Sequence, residues 1–134
     1  MEKLWNYIEV LGRIALVSIF IMSGLQKLGD VQGNMAYVAS GGLPGFMVFP
    51  AMAIEILASL AVVLGWQTRI ASLFLALFCL MAGFLYHGHT FPDNPMATML
   101  DHIHFLKNIA LTGAFLFVAG RGAGAISLDK RKAA

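Results

Sequence analysis

At 134 residues, 59% of them hydrophobic and 12% charged, with a mean hydropathy of +0.78, the chain has too little polar surface to cover a water-soluble globule of its size. Soluble domains carry about 25% charged residues. The net charge of +2, with basic residues gathered near the ends of apolar runs, excludes a nucleic-acid-binding footprint. Cys79 is the sole cysteine, so the sequence holds no internal disulfide, no CxxC redox pair and no thiolate-rich metal site.

In chain order, apolar runs at 8–28, 44–65, 68–86 and 99–119 predict an all-α integral membrane four-helix bundle, one domain over 1–134. Each run is about 20 residues, the length a helix needs to cross about 30 Å of hydrocarbon. Helices are the expected form because lipid cannot satisfy open backbone groups, and the alternation of a membrane barrel is missing. Lys3 before the first run suggests a signal peptide, but Arg13 interrupts the run and no small-x-small cleavage site follows, so it is expected to remain as the first helix.

Gly29, Asp30, Gly33, Gly41, Gly42 and Pro44 frame the first loop, within which Met35–Ser40 is expected to form a short interfacial helix. Gly65 to Thr68 forms a tight turn, and Gly88, Pro92, Asn94 and Pro95 mark the third break. The Gly- and Lys-rich tail after Gly120 is expected at the interface. Its 120–124 glycines are expected to have no following helix with which to form a phosphate site. Lys3, Arg69, Arg121, Lys130, Arg131 and Lys132 fall on one side of a four-pass zigzag, against Lys27 outside the spans on the other. That bias places both termini in the cytoplasm.

Arg13, Glu55 and Lys107 lie where hydrocarbon is expected. A charge at the bilayer centre costs about 2.5–3.5 kcal/mol on insertion scales, so all three should turn inward, with Glu55 pairing with Arg13, Lys107 or both. Helical spacing groups Arg13, Val17, Phe20, Gly24 and Lys27 on span one, and Ala51, Glu55, Ala58 and Ser59 on span two. On span three it groups Ser72, Ala76, Cys79 and Gly83. On span four it groups Lys107, Ala110 and Ala114, with His104 and Asn108 adjoining. Small residues let helices approach closely in lipid. Two readings of the polar spot stand: an ion-pair network that fixes helix order, or a site for a polar ligand, a proton or a quinone headgroup.

All four histidines fall at one membrane face, near Asp93 and Asp101. Imidazole and carboxylate suit zinc, copper or iron, so His87, His89 and His102 are weak metal candidates. His102 and His104 differ by about 200° around an ideal helix and share no face, so no metal is expected. The other readings are residues at a wet interface, or a quinone-headgroup or proton-exchange role. His104, one turn from Lys107 and Asn108, is the strongest single candidate.

The run from Arg13 through Ser23-Gly24-Leu25-Gln26-Lys27-Leu28, the Gly42-Leu43-Pro44 turn, Glu55, and Leu64-Gly65-Trp66-Gln67-Thr68-Arg69 resemble the DoxX family of small inner-membrane proteins in order and spacing. So do Phe105-Leu106-Lys107-Asn108-Ile109-Ala110-Leu111 and the Gly122-to-Asp129 ending. The resemblance implies a multi-pass protein of the bacterial inner membrane, related to DoxD-type subunits of thiosulfate:quinone oxidoreductases and to DoxX proteins that join thiol and oxidative-stress enzymes at the membrane. The function expected is an accessory subunit of a quinone-linked redox system, with quinone as ligand near Arg13, Glu55, His104, Lys107 and Asn108. Its partners would be the lipid bilayer, a membrane or soluble redox protein, and a second copy of the chain. The alternatives are a non-catalytic scaffold or assembly protein and, less in keeping with four spans, a small transporter. No catalytic residue is assigned, and the absence of paired cysteines argues against an autonomous enzyme.

Overall fold

The computed structural model describes residues 1–133. Six helical elements follow one another: α1 (Glu2–Gly29), α2 (Val31–Ser40), α3 (Gly45–Leu64), α4 (Thr68–Tyr86), α5 (Pro95–Arg121) and α6 (Leu128–Ala133). Of these, α1, α3, α4 and α5 are long and apolar enough to cross a membrane, and no strand occurs among the described residues.

The helices α1 and α5 outrun their apolar windows, and at α5 and the short α2 a capping side chain sets the start. Asn94 caps α5 by accepting from the Ala97 amide at 3.0 Å, with Pro95 at the first helical position, where its missing N–H is no loss. Asp30 caps α2 by accepting from the Gly33 amide at 2.9 Å, so the short helix begins four residues before the expected Met35. The span α3 is irregular. It opens with a 3₁₀ turn, Gly45–Met47, and carries a π-helical turn over Ile54–Ala58. A π-helical turn widens the backbone and often sits at a functional site.

The core gathers Val17 and Phe20 of α1, Ala61 and Val62 of α3, Ala71, Leu75, Ala76 and Cys79 of α4, and Phe115 of α5. The small-residue seam of α4, Ser72, Ala76, Cys79 and Gly83, is buried as its spacing predicts. At Gly83 a methyl group would lie 3.2 Å from Asn108 Cβ, so α4 and α5 approach closely there. The inward face of α5 differs from expectation. Asn108, Phe115 and Ala119 are buried, while Ala110 is exposed and Lys107 half-buried. A short polar amide is cheaper to bury against a neighbour than an ammonium, and the helix turns accordingly.

Both termini lie at one end of the bundle, where the tail is bound in rather than lying loose. Arg13 donates from Nη1 to the Val62 carbonyl at 3.1 Å and from Nη2 to the Ile126 carbonyl at 2.6 Å. Asp129 accepts from the Gln67 and Thr68 amides at 2.7 and 2.9 Å, and its own amide donates to the Gly65 carbonyl at 2.8 Å. Gly65, at φ +67°, packs so tightly on Ser127 and Arg13 that a side chain there would collide with both. Ser127 starts α6 by accepting from the Lys130 amide at 3.2 Å. A helix does therefore follow the tail glycines, and its first residues cap α4 from across the chain.

Candidate functional site

A cavity of about 370 Å³ lies in the half of the bundle away from the termini, within the range of small-molecule sites, roughly 300–1,000 Å³. Its walls come from α1, α2, α3, α4 and α5, and are mostly apolar. Ser23, Lys27, Glu55, His87, Lys107 and Asn108 supply polar groups.

Glu55 is the most enclosed of these, its side chain 3% exposed. Ser23 Oγ donates to its Oε1 at 2.8 Å. Lys27 Nζ lies 3.0 Å from Oε1 and 3.0 Å from Oε2, and also 2.7 Å from Ser23 Oγ. The Oε2 contact is an ion pair set off the hydrogen-bond direction, since that oxygen has no hydrogen-bond donor. Gly24 makes this geometry possible. A methyl group there would sit 2.6 Å from Ile56 Cγ1 and 3.3 Å from Glu55 Cβ, so α1 and the π-helical turn of α3 meet with no room between them.

The partner expected for Glu55 is therefore wrong. Arg13 sits at the level of Val62, seven residues and about 10 Å along α3 from Glu55 at 1.5 Å per residue, and it serves the terminal clamp. Lys107 forms no ion pair among the described residues. Its Nζ lies 3.4 Å from His104 Nδ1, one turn away. Lys27, which the charge distribution places at the interface, is the true counter-ion. Its position on the Arg13–Val17–Phe20–Gly24 face was the available signal. A lysine stem long enough to let the ammonium reach inward is the physical reason.

Asn108 donates from Nδ2 to the His104 carbonyl at 3.0 Å. Above it, His87 Nδ1 lies 3.1 Å from Asp101 Oδ1. The other oxygen of Asp101 accepts from the His89 amide at 2.7 Å and lies 3.4 Å from His89 Nδ1. The His87 and His104 rings are 5.3 Å apart. Asp101 thus joins an exposed imidazole, His89, to one that lines the cavity, His87. His102 faces away, in a shallow depression with Phe91 and Met99, and the described residues contain no group of three or more His, Cys, Asp or Glu placed to hold a metal.

Two aromatic closures bound the cavity. Tyr37 of α2 stacks on Tyr86 of α4 with centroids 4.8 Å apart, and the Tyr86 hydroxyl donates to the Val38 carbonyl at 3.0 Å. Burial, with Tyr86 and Asp101 nearby, pushes the Tyr37 phenol above its ordinary value, so it stays neutral. Toward the termini, Phe20 meets Phe78 and Phe115 edge to face at 6.2 and 5.5 Å.

The model of the DoxX family matches residues 8–88, more than half of the chain. The chain belongs to the DoxX family. Two relatives from Escherichia coli K12 extend the likeness through α5. Inner membrane protein YqjF is 33% identical over 97% of this chain and 95% of its own length. Inner membrane protein YphA is 36% identical over 91% and 88%. CatD of Bacillus subtilis, whose name places it provisionally among oxidoreductases, is 34% identical over 58% of each chain. No solved structure matches. This DoxX-family chain is thus a multi-pass inner-membrane protein. The segment matched by the family model supplies Glu55, Lys27 and the Gly24 contact, while Lys107 and Asn108 lie beyond it, in the part shared with YqjF and YphA.

Proposed function

We propose that this DoxX-family protein is an accessory subunit of a quinone-linked membrane redox system, and that its cavity holds the quinone headgroup. The observation that carries the reading is the division of charge around the cavity. Glu55 is neutralised by Lys27, whereas Lys107 faces the same space with no carboxylate partner among the described residues. A headgroup with acceptor oxygens complements that surplus donor. Lys107 Nζ would donate to one quinone carbonyl, with Asn108 beside it. Reduction of a quinone to a quinol takes up two electrons and two protons. A partner redox protein would supply the electrons, and His89, Asp101 and His87 would link the cavity to protons outside. The name of CatD is consistent with a redox setting. The one-sided distribution of Lys and Arg supports a cytoplasmic location for the terminal end, which would put the histidine group on the outer face.

Thermal midpoints of the purified protein in lipid nanodiscs test the reading. Saturating membrane quinone raises the midpoint of the wild type, since a ligand that binds only the folded state stabilises it. Lys107→Met removes most of that rise, and Glu55→Gln changes it. A midpoint indifferent to quinone at every concentration would overturn the proposal.

The scaffold reading is favoured by one observation, the dense bonding of the terminal end. It predicts that the Lys27→Glu/Glu55→Lys charge swap restores the cellular role wherever it restores folding. A stably folded swap that remains inactive would count against it.

A further inference from the structure

The cavity has an aromatic roof and floor, and part of its side wall is exposed on the surface of the bundle. The stacked Tyr37 and Tyr86, with the Gly41 backbone pressed on the Tyr86 ring, shut the end away from the termini. Phe20, Phe78 and Phe115 shut the other. The helices α4 and α5 pack along their lengths and α1 packs on α3, while Phe20 of α1 meets α4 at Phe78 and α5 at Phe115. At the seam between α1 and α4 the side chains that line the cavity are also exposed on the outer surface of the bundle. Ile19 on α1 and Phe74, Leu77 and Met81 on α4 line the cavity, and the same four side chains are 42%, 51%, 54% and 44% exposed. Phe74, Leu77 and Met81 are spaced to share one face of α4. All four sit within membrane spans, so the surface they expose faces hydrocarbon rather than water.

Resting on the quinone reading, we infer that the cavity is filled from within the bilayer. A long-tailed amphiphile slides headgroup first between α1 and α4, and its tail stays in the lipid. The chemistry of the walls runs in that order. The mouth offers only apolar carbon and sulfur, and the polar groups Ser23, Lys27, Glu55, Lys107 and Asn108 wait inside. About 370 Å³ takes a ring headgroup and its first carbons, and the rest of a membrane quinone must remain outside. The roof gives α2 a role: it keeps outer water from the Lys27–Glu55 pair while the seam stays accessible to lipid. The ligand class is therefore an amphiphile with acceptor oxygens at its head, selected partly by its tail.

Leu77→Trp narrows the mouth at a lipid-facing position, and Leu73→Trp, exposed on the same helix but outside the cavity, is its control. Retention of three labelled probes in nanodiscs is measured: an isoprenoid-tailed quinone, the tail-less 1,4-naphthoquinone and a long-chain fatty acid. Leu77→Trp weakens the tailed quinone about tenfold, roughly 1.4 kcal/mol, and leaves the tail-less ring unchanged, while Leu73→Trp changes neither. Equal loss of tailed and tail-less quinone in Leu77→Trp, or no loss of either, overturns entry through the seam. If the wild type retains the fatty acid but neither quinone, and Leu77→Trp releases it, the seam stands and the quinone reading falls. If the wild type retains no tailed probe, both fall.

Discussion

The terminal end of the bundle and its opposite half both bury charge among apolar helices, with different outcomes. At the terminal end, Arg13 and Asp129 bond to backbone: the carbonyls of Val62 and Ile126, and the amides of Gln67 and Thr68. Arg69 adds bonds to the carbonyls of Ala119 and Gly120 at 3.2 and 2.9 Å. These contacts fasten loop and tail and leave no space between them. In the other half, Glu55, Lys27, Lys107, Asn108 and His87 bond largely through side chains or to their own helix, and stand around a cavity. Polar groups that grip backbone close a fold. Polar groups that face one another across a void are free to meet a ligand.

The comparison breaks most readily at the Lys27–Glu55 pair. Removing one partner leaves a buried charge uncompensated, and such changes cost about 3–5 kcal/mol, while exchanging both for apolar residues of like volume is often neutral. Glu55→Leu is expected to lower stability by an amount near that range, and Lys27→Met/Glu55→Leu to recover most of it, as read by unfolding in mild detergent. The double variant then separates stability from ligand response: it folds, and its shift with quinone differs from the wild type while Lys107 still supplies a donor. A double variant as unstable as the single one would show that the pair does not act as a unit.

Much of this fold was legible in the sequence, and the limits have physical causes. Length and hydropathy locate four spans, the third to the residue and the first with its start six residues late, and small-residue spacing locates the α4 seam. Helix ends were less legible, because Asp30 and Asn94 caps extend helices where hydropathy falls. Of the expected site residues, Glu55, Lys107 and Asn108 line the cavity, His104 touches it through Lys107, and Arg13 belongs elsewhere. Sign and approximate depth could not choose between Arg13, Lys107 and Lys27 as the partner of Glu55. The choice depends on the register of α1 against α3, which the Gly24 contact with Ile56 and Glu55 fixes so that Lys27 rather than Arg13 comes level with the carboxylate, and helical spacing within one span says nothing of register between two. The role of Asp129 was hidden for a similar reason, since a cap drawn from 61 residues away carries no local signal.

Gly24 sharpens the same contrast. Gly24→Ala forces a methyl group into Ile56 beside Glu55, and overpacking of this kind costs about 1–3 kcal/mol. The expected signature is a loss of stability together with a weakened response to quinone, because α1 and the π-helical turn must part and carry Ser23 and Lys27 with them. At the terminal end, Asp129→Ala removes the cap of α4, worth typically about 1 kcal/mol and up to 2. It should destabilise without altering the response to quinone, and it should expose the tail to limited proteolysis. A change in quinone response in Asp129→Ala would mean that the two ends are coupled.

The smallest effect belongs to the roof. Burial, then Tyr86 and Asp101, raise the Tyr37 phenol above its ordinary value of 10.0, so the folded state holds that proton more tightly than the unfolded chain. A group of this kind contributes its stability fully below the unfolded value and loses it as pH rises through the folded one. The roof is therefore intact at neutral pH and loosens only in alkali, above about 10. Tyrosinate absorbance should show Tyr37 titrating later than a free phenol, and access of water-soluble quenchers to the cavity should rise over the same range. Tyr37→Phe keeps the stack on Tyr86 and removes the ionisation, so its cavity should stay shut in alkali. If it opens as the wild type does, Tyr86 rather than Tyr37 holds the roof, and the hydroxyl bond to Val38 is the contact that matters.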